Sequence, residues 1–434
     1  MIRRRTTELG LLVLVTLVTG GAYVLASLGR GADIPADVVP FLGIVLGLQL
    51  AAHLAVRKLA PGADGLLVPL AGLLNGIGYA MIARLDADLA ANQSAWTVLG
   101  VAVFIVTLVV IRDVRILERY RYTLALLGVV LLLTPLTPLG VSINGARIWV
   151  RVGPFSVQPG EFAKVVLAAF LAGYLVEKRD VLTISTRRLG PVHVPDLKHF
   201  GPLLAAWGIA LLVMVRQRDL GSSLLFFTLF LVMLYVATGR AAYVFSGLVL
   251  FGIGATGAWQ LFDHVQRRVD IWIDPFADPK NAGYQIVEAA FAMAEGGVTG
   301  TGLGLGSPTR IPYAATDMIF AAIGEELGLF GATAVLAAFV LLVGAGLRVA
   351  TAAPNPFEKL LAAGLTALLG FQTFIIVGGV IRVLPLTGIT LPFVSYGGSS
   401  LVANYLVLAL LIRISDRTAQ RSLNQAQPAP EAVA

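Results

Sequence analysis

The side chains best placed to do chemistry in this chain are the few charges that interrupt or border its long apolar runs. A charge in hydrocarbon costs several kcal/mol unless it is paired or lines a wet cavity. Glu161 and Lys164 stand three residues apart at the start of one such run, on one helical face, where they can pair. A buried structural ion pair and a directly catalytic pair fit that spacing equally well. Asp219 follows Arg216 and Arg218 in a very short connection, where a solvated turn charge or a helix N-cap accounts for it. Asp317 opens a long apolar run just after Pro312. A carboxylate there can serve as a general base, but by pattern alone a helix N-terminal carboxylate complementing the macrodipole is the better-supported reading. Continuous helix over 316–347 would be about 48 Å long, with Glu325 about 12 Å deeper than Asp317 and roughly 80° round from it. Glu326 then points to the opposite face, so the spacing predicts that the two glutamates do not share a site.

Other candidate chemistries find no support. The stretch Gly300–Gly306 follows no strand and opens no crossover unit, which argues against a dinucleotide loop. The histidines His53, His193, His199 and His264 have no metal-ligand spacing, and no Ser-His-Asp arrangement is present. The chain has no cysteine, hence neither disulfide nor thiolate metal site.

The elements that must position these charges follow from composition. The 434 residues are 57% hydrophobic and only 13% charged, with a mean hydropathy of +0.84, which excludes a water-soluble enzyme. Apolar runs long enough to cross a bilayer predict an all-α polytopic membrane protein of about twelve spans. These are 9–28, 37–56, 66–83, 95–111, 122–139, 160–176, 200–215, 220–238, 241–262, 316–347, 359–381 and 392–412. Arg3, Arg4 and Arg5 before the first run resemble a signal peptide, but with so many spans following we expect an uncleaved helix. With the N-terminus in the cytoplasm, twenty Lys and Arg fall inside and eleven outside, which predicts that both termini are cytoplasmic. The net charge of +7 is then topology, with no call for nucleic acid. Two outside connections are unusual: 140–159, and a long one over 263–315 carrying Pro275, Pro279, Pro308 and Pro312. Loops of that length usually carry function. The tail 416–434 is expected to be disordered.

Five segments resemble the family of shape, elongation, division and sporulation proteins that includes RodA and FtsW. They are Asn144-Gly145-Ala146-Arg147 with Trp149; Gln158-Pro159-Gly160-Glu161-Phe162-Ala163-Lys164; Gln217-Arg218-Asp219-Leu220-Gly221; the loop from Asp274-Pro275 through Gly283-Tyr284-Gln285 to Thr316-Asp317 and Glu325-Glu326-Leu327-Gly328; and Leu391-Pro392-Phe393-Val394-Ser395-Tyr396-Gly397-Gly398-Ser399-Ser400. The resemblance covers roughly residues 70–415, so that 66–415 reads as the core and 1–65 as an extension of the kind common in actinobacterial members. The chain departs from the family pattern at Gly160, usually serine, at Arg218, usually proline, at Ile148, often arginine, and at Tyr313-Ala314-Ala315, usually Glu-x-His.

The resemblance implies a peptidoglycan glycosyltransferase that polymerises lipid II at the outer face of the cytoplasmic membrane, with a class B penicillin-binding protein as transpeptidase partner, in elongation or division. An α-linked sugar pyrophosphate giving a β-1,4 polymer requires inversion, with a base on the acceptor hydroxyl and charge compensation for the leaving pyrophosphate. Asp317 suits the base. Arg147, Lys164, Arg310 or a divalent cation, Mg or Mn, suits the leaving group, while Glu161, Asp219, Glu325 and Ser395 complete the expected cavity. Trp149 suits either a stacked sugar or an interfacial anchor. Two rival classes remain: a flippase using the same polar cavity, and a noncatalytic scaffold.

Overall fold

The computed structural model describes residues 2–31, 38–143, 145–153, 155–183, 187–189, 192–194, 208–209 and 211–426. Lipid supplies no hydrogen bonds, so a chain this apolar closes its backbone within helices. In order they are α1 (Ile2–Gly31), α2 (Val38–Leu59), α3 (Leu67–Leu85), α4 (Ala87–Val110), α5 (Arg115–Arg119), α6 (Arg121–Leu133), α7 (Pro159–Thr183), α8 (Leu220–Thr238), α9 (Ala241–Leu261), α10 (Asp263–Ile273), α11 (Tyr284–Gly296), α12 (Ile319–Ala352), α13 (Pro356–Val380) and α14 (Gly398–Ala426).

Ten of these are long and apolar enough to cross a membrane, in keeping with an all-α polytopic protein. The expected count of twelve is met only in part. The fifth run, 122–139, forms the shorter apolar helix Arg121–Leu136, because Pro135 and Pro138 end it early. The seventh, 200–215, lies largely outside the described residues. Helix α14 packs along α4, α6 along α7, α12 along α13 and α1 along α3, and Tyr174, Phe104, Phe357 and Phe393 are among the largest side chains fully sealed in the core. Helix α9 stands apart, with only Gly247 buried.

At the end of the bundle away from Asp317, α14 runs past its apolar length to Ala426, so residues 416–426 of the expected disordered tail are helical. Ion pairs explain this. Arg417 and Arg421 both pair with the fully buried Glu358 of α13, Arg417 also pairs with Asp113, and Asp416 accepts from the Gly62 amide at 2.7 Å. Residues 427–434 lie outside the described residues.

The long connections are built rather than loose. Residues 140–157 form a three-stranded antiparallel sheet, β1 (Gly140–Ile143), β2 (Ala146–Val152) and β3 (Phe155–Val157), which the helical reading did not anticipate. The 263–315 connection contains α10, which is polar on the side bearing Asp263, Arg267 and Asp270, and α11. Arg382 ties α10 to the bundle: its guanidinium donates to the carbonyls of Trp272 and Ile273, and the Trp272 indole donates back to its carbonyl at 3.0 Å.

Continuous helix over 316–347 is not what forms. The helix begins only at Ile319, and Gly328 breaks it with φ 64° and ψ −167°. Glycine is required there, since a Cβ would lie 2.3 Å from the Gly300 amide nitrogen. The Gly-rich segment 297–307 docks into this break, with the Leu329 amide donating to the Gly297 carbonyl and the Thr301 amide to the Glu325 carbonyl. The expectation that Glu325 and Glu326 serve different faces therefore fails. Glu325 accepts from the Ser307 amide, while Glu326 accepts from the Gly304 amide and pairs with the buried Arg84 at 2.9 Å. Both glutamates hold one loop.

Candidate active site

Asp317 sits in a turn, not in a helix. Tyr313, at φ 58°, reverses the backbone, and the 311–318 segment is then pinned from two sides. From the Leu391–Tyr396 loop, the Ser395 hydroxyl donates to the Thr316 carbonyl and the Tyr396 amide to the Ala315 carbonyl at 2.8 Å. From α11, the Gln285 side chain reaches the Pro312 carbonyl and Asp317 Oδ2, each at 3.4 Å. Gln285 gets there because α11 starts at Gly283, where a Cβ would lie 2.0 Å from the Pro275 carbonyl oxygen. The other carboxylate oxygen, Oδ1, accepts from Thr316 Oγ1 at 3.0 Å. The N-cap of α12 is Met318, with no side-chain cap bond, so Asp317 is not spent on capping that helix.

Across a small gap lies Arg268 of α10. It donates to the Leu386 carbonyl at 2.8 Å. A Cβ placed on Gly388 would lie 3.9 Å from Asp317 Oδ2 and 4.0 Å from Arg268 Nη2, so carboxylate and guanidinium flank the same space. Burial pushes the Asp317 carboxyl above its ordinary value, while hydrogen bonds from Thr316 and Gln285 and the charge of Arg268 pull it partly back. Burial lowers the Arg268 guanidinium, against the pull of both Asp219 and Asp317.

Asp219 is the N-cap of α8, accepting from the Ser222 amide at 2.9 Å, which is one of the two expected roles; it is half-buried rather than solvated. Burial raises its carboxyl, the Ser222 amide and Lys164 lower it, and Glu161 raises it again. Glu161 and Lys164 form the expected pair, Nζ to Oε1 2.8 Å, both buried. One electrostatic cluster thus runs from Glu161 and Lys164 through Asp219 and Arg268 to Asp317.

The remaining expected residues divide. Ser395 belongs to the cluster as the clamp on Thr316. Arg147 is exposed on β2, but its amide donates to the Gln217 carbonyl, which joins the sheet to the Asp219 turn. Its guanidinium donates to the Thr137 carbonyl at 2.9 Å. Trp149 is half-buried on β2, opposite Val141. Glu325 serves the Gly-rich loop, and Arg310, exposed on the turn Pro308–Arg310, makes no hydrogen bond or ion pair with Asp317.

Arg268 and Gln285 are the members that the sequence reading did not nominate as site residues. Arg268 looked like one more outside charge. Its signal is helical: His264, Arg268 and Trp272 recur every fourth residue on the inward side of α10. Backbone strain is a second marker. Among the described residues, the non-glycine positions with positive φ are Arg218, Tyr313, Arg382 and Phe393, each next to an element that holds the cluster.

Comparison with known proteins identifies the family. The profile of FtsW, RodA and SpoVE, described as cell cycle proteins, matches residues 77–420. The chain belongs to that family. The peptidoglycan glycosyltransferase RodA of Mycobacterium tuberculosis is 46% identical over 424 residues, 95% of this chain and 90% of that protein. The probable peptidoglycan glycosyltransferase FtsW of Geobacter metallireducens is 34% identical over 329 residues, 75% of this chain and 84% of that one. A solved structure of a peptidoglycan synthase complex, described as coordinating polymerization and crosslinking, superposes with a TM-score of 0.68 at 26% identity, over 82% of this chain and 98% of that one. The crystal structure of the rod shape determining protein RodA of Thermus thermophilus gives 0.56, also at 26%, over 81% and 96%.

Chemically, a FtsW/RodA-type chain with this cluster offers a carboxylate of raised basicity facing a guanidinium across a gap, with an ammonium further along. Among the described residues no three His, Cys, Asp or Glu side chains come close enough to hold a metal ion.

Proposed function

We propose that Asp317 is the catalytic base of lipid II polymerisation in this chain, a multi-pass peptidoglycan glycosyltransferase. The carboxylate takes the proton of the acceptor sugar's 4-hydroxyl as that oxygen bonds to the donor's anomeric carbon from the face opposite the pyrophosphate. The bond from anomeric carbon to pyrophosphate oxygen breaks, and its electron pair leaves with the polyprenyl pyrophosphate. Inversion turns the α-linked donor into a β-1,4 linkage. Arg268 offers two-pronged donors to the departing phosphates, and Lys164 adds a second positive charge along the cluster. A divalent cation arriving with the pyrophosphate would supply further charge compensation for the leaving group.

The observation that carries this reading is the Asp317 carboxylate facing Arg268 across the gap at Gly388. The loop charge bias supports placing that gap at the outer face of the cytoplasmic membrane, with both termini inside. A class B penicillin-binding protein is the proposed crosslinking partner, supported by the likeness to the solved synthase complex. The test is direct: purified protein in detergent, given lipid II and no membrane to cross, makes glycan chains only if it is a polymerase. A flippase or a scaffold would leave lipid II intact.

A further inference from the structure

At the end of the bundle away from Asp317, the corner between α5 and α6 carries an exposed stripe whose chemistry changes in order along its length. Leu133, Val130, Leu126, Tyr122, Arg119 and Arg115 recur at steps of three or four residues, which puts them on one helical side, and all are exposed. The opposite side of α6 packs into the bundle. Leu132 is buried there, and a Cβ on Gly128 would lie 2.5 Å from Leu167 Cδ2 of α7, so the stripe faces outward. Hydrocarbon, then a tyrosine, then guanidinium groups is the order of environments met on leaving a bilayer: acyl chains, interface, phosphates.

The length of α6 fixes the depth of those guanidinium groups. At 1.5 Å per residue the apolar helix Arg121–Leu136 is about 24 Å long, against about 30 Å of hydrocarbon. A helix that short thins the bilayer around it or draws its flanking polar residues toward the acyl chains. The arginines of α5 are thereby held at headgroup depth. Ion pairs then separate them. Arg115 spends its guanidinium on Asp113, Nη2 to Oδ2 2.8 Å, and Arg121 pairs with Glu177. Arg119 has no ion pair or side-chain hydrogen bond among the described residues, and the exposed Arg112 before α5 adds to the same positive field. A guanidinium at that depth with no carboxylate to meet takes a phosphate through its planar fork. A choline headgroup brings its own cation, which Arg119 repels. A headgroup whose only charge is its phosphate does not.

We propose that this stripe binds one anionic phospholipid of the phosphatidylglycerol kind, its phosphate on Arg119 and an acyl chain along Tyr122, Leu126 and Val130. An acidic soluble protein, a nucleic acid or a free phosphate would answer Arg119 and leave the apolar part of the stripe without a partner. A lipid answers both. The seat is firm, because α5 packs against α7 and α13, and a Cβ on Gly173 of α7 would lie 3.2 Å from Arg121 Cβ and 3.7 Å from Glu118 Cα.

The test uses the full chain in nanodiscs, with photoreactive benzoylphenylalanine in place of Thr123, which is exposed beside Tyr122. The nanodiscs hold phosphatidylglycerol and phosphatidylcholine in equal amounts with matched acyl chains, one of the two tritiated. Capture of phosphatidylglycerol should exceed capture of phosphatidylcholine about fivefold, the factor that one surface arginine gives at about 1 kcal/mol. Arg119→Gln should bring the ratio near one at an unchanged melting temperature, since the side chain it removes has no partner in the protein, and Arg119→Lys should keep most of the preference. The same photoreactive residue at Leu250, exposed at the middle of α9 with no charge within a turn, should show no preference. Equal capture of both lipids at Thr123, an equal bias at Leu250, or a ratio untouched by Arg119→Gln overturns the proposal. So does displacement by soluble glycerol 3-phosphate, which would reveal an anion site with no use for the acyl chain. Capture needs no turnover, so the outcome is independent of the glycosyltransferase reading.

Discussion

Replacing Arg268 by Gln tests how the cluster divides its work. The side chain keeps hydrogen-bonding capacity and much of its length but loses its charge. In the structure that charge faces Asp317 across the gap at Gly388 and is also felt by Asp219. Two effects follow. A charge-assisted contact to the leaving pyrophosphate is lost, worth about 1.5–3 kcal/mol, or roughly 10- to 150-fold in rate. The Asp317 carboxyl, already raised by burial, also loses the positive charge that pulled it down, so its pKa rises further. A base works only when ionised, so the acid limb of the rate profile must move to higher pH. The assay is polymerisation of lipid II by purified protein in detergent, read as glycan chain formation over a pH series. Arg268→Lys keeps the charge without the planar fork and should fall between wild type and Gln, with the acid limb unmoved. Arg268→Gln polymerising within two- to threefold of wild type, on an unshifted pH profile, would refute the reasoning.

Glu161→Gln and Lys164→Met should each strongly reduce activity, and the double variant should lose less than the sum, because each single change strands a buried charge; strict additivity would show that the 2.8 Å pair is not coupled. Gly388 sits at φ 72°, so Gly388→Ala should lower the melting temperature through backbone strain, and the Cβ it places beside Asp317 and Arg268 should cost more activity than that loss explains; wild-type turnover would mean that the acceptor binds elsewhere. For topology, a single cysteine at Asn281 should react with an impermeant maleimide in intact cells and one at Ser185 should not, which the absence of native cysteine makes readable; the reverse pattern would invert the orientation.

The helices were legible because hydropathy and length suffice to define a span, and the Glu161–Lys164 pair because a three-residue spacing fixes a face. What escaped depends on breaks in regularity. Glu325 and Glu326 were assigned to opposite faces on the assumption of an unbroken helix, and Gly328 ends that assumption by letting residues 297–307 dock against both. The small sheet over 140–157 was hidden inside a short connection whose strands bury little and so carry no strong apolar alternation. Arg268 was unreadable as a site residue because its partners come from the Asp219 turn, the 311–318 turn and the 381–397 loop, far apart in sequence. The helical extension of α14 to Ala426 likewise depends on Glu358 and Asp113, which only the fold brings to it.

The measurement that bears most directly on the account is polymerisation by Asp317→Asn. The substitution keeps shape and hydrogen bonding to Gln285 and Thr316 but removes basicity. General-base contributions are of order 10²–10⁴, so polymerisation should fall at least about a hundredfold, with Asp317→Ala similarly inactive. Stability should move the other way. Burial raises the Asp317 pKa in the folded protein, so its ionised form costs stability above the unfolded value, and the neutral amide should leave the melting temperature unchanged or higher. A helix-dipole carboxylate would instead cost about 0.3–1 kcal/mol of stability on neutralisation and spare turnover. Polymerisation within a few-fold of wild type at matched expression would contradict the account, and the search for the base would pass to Asp219 and Glu161.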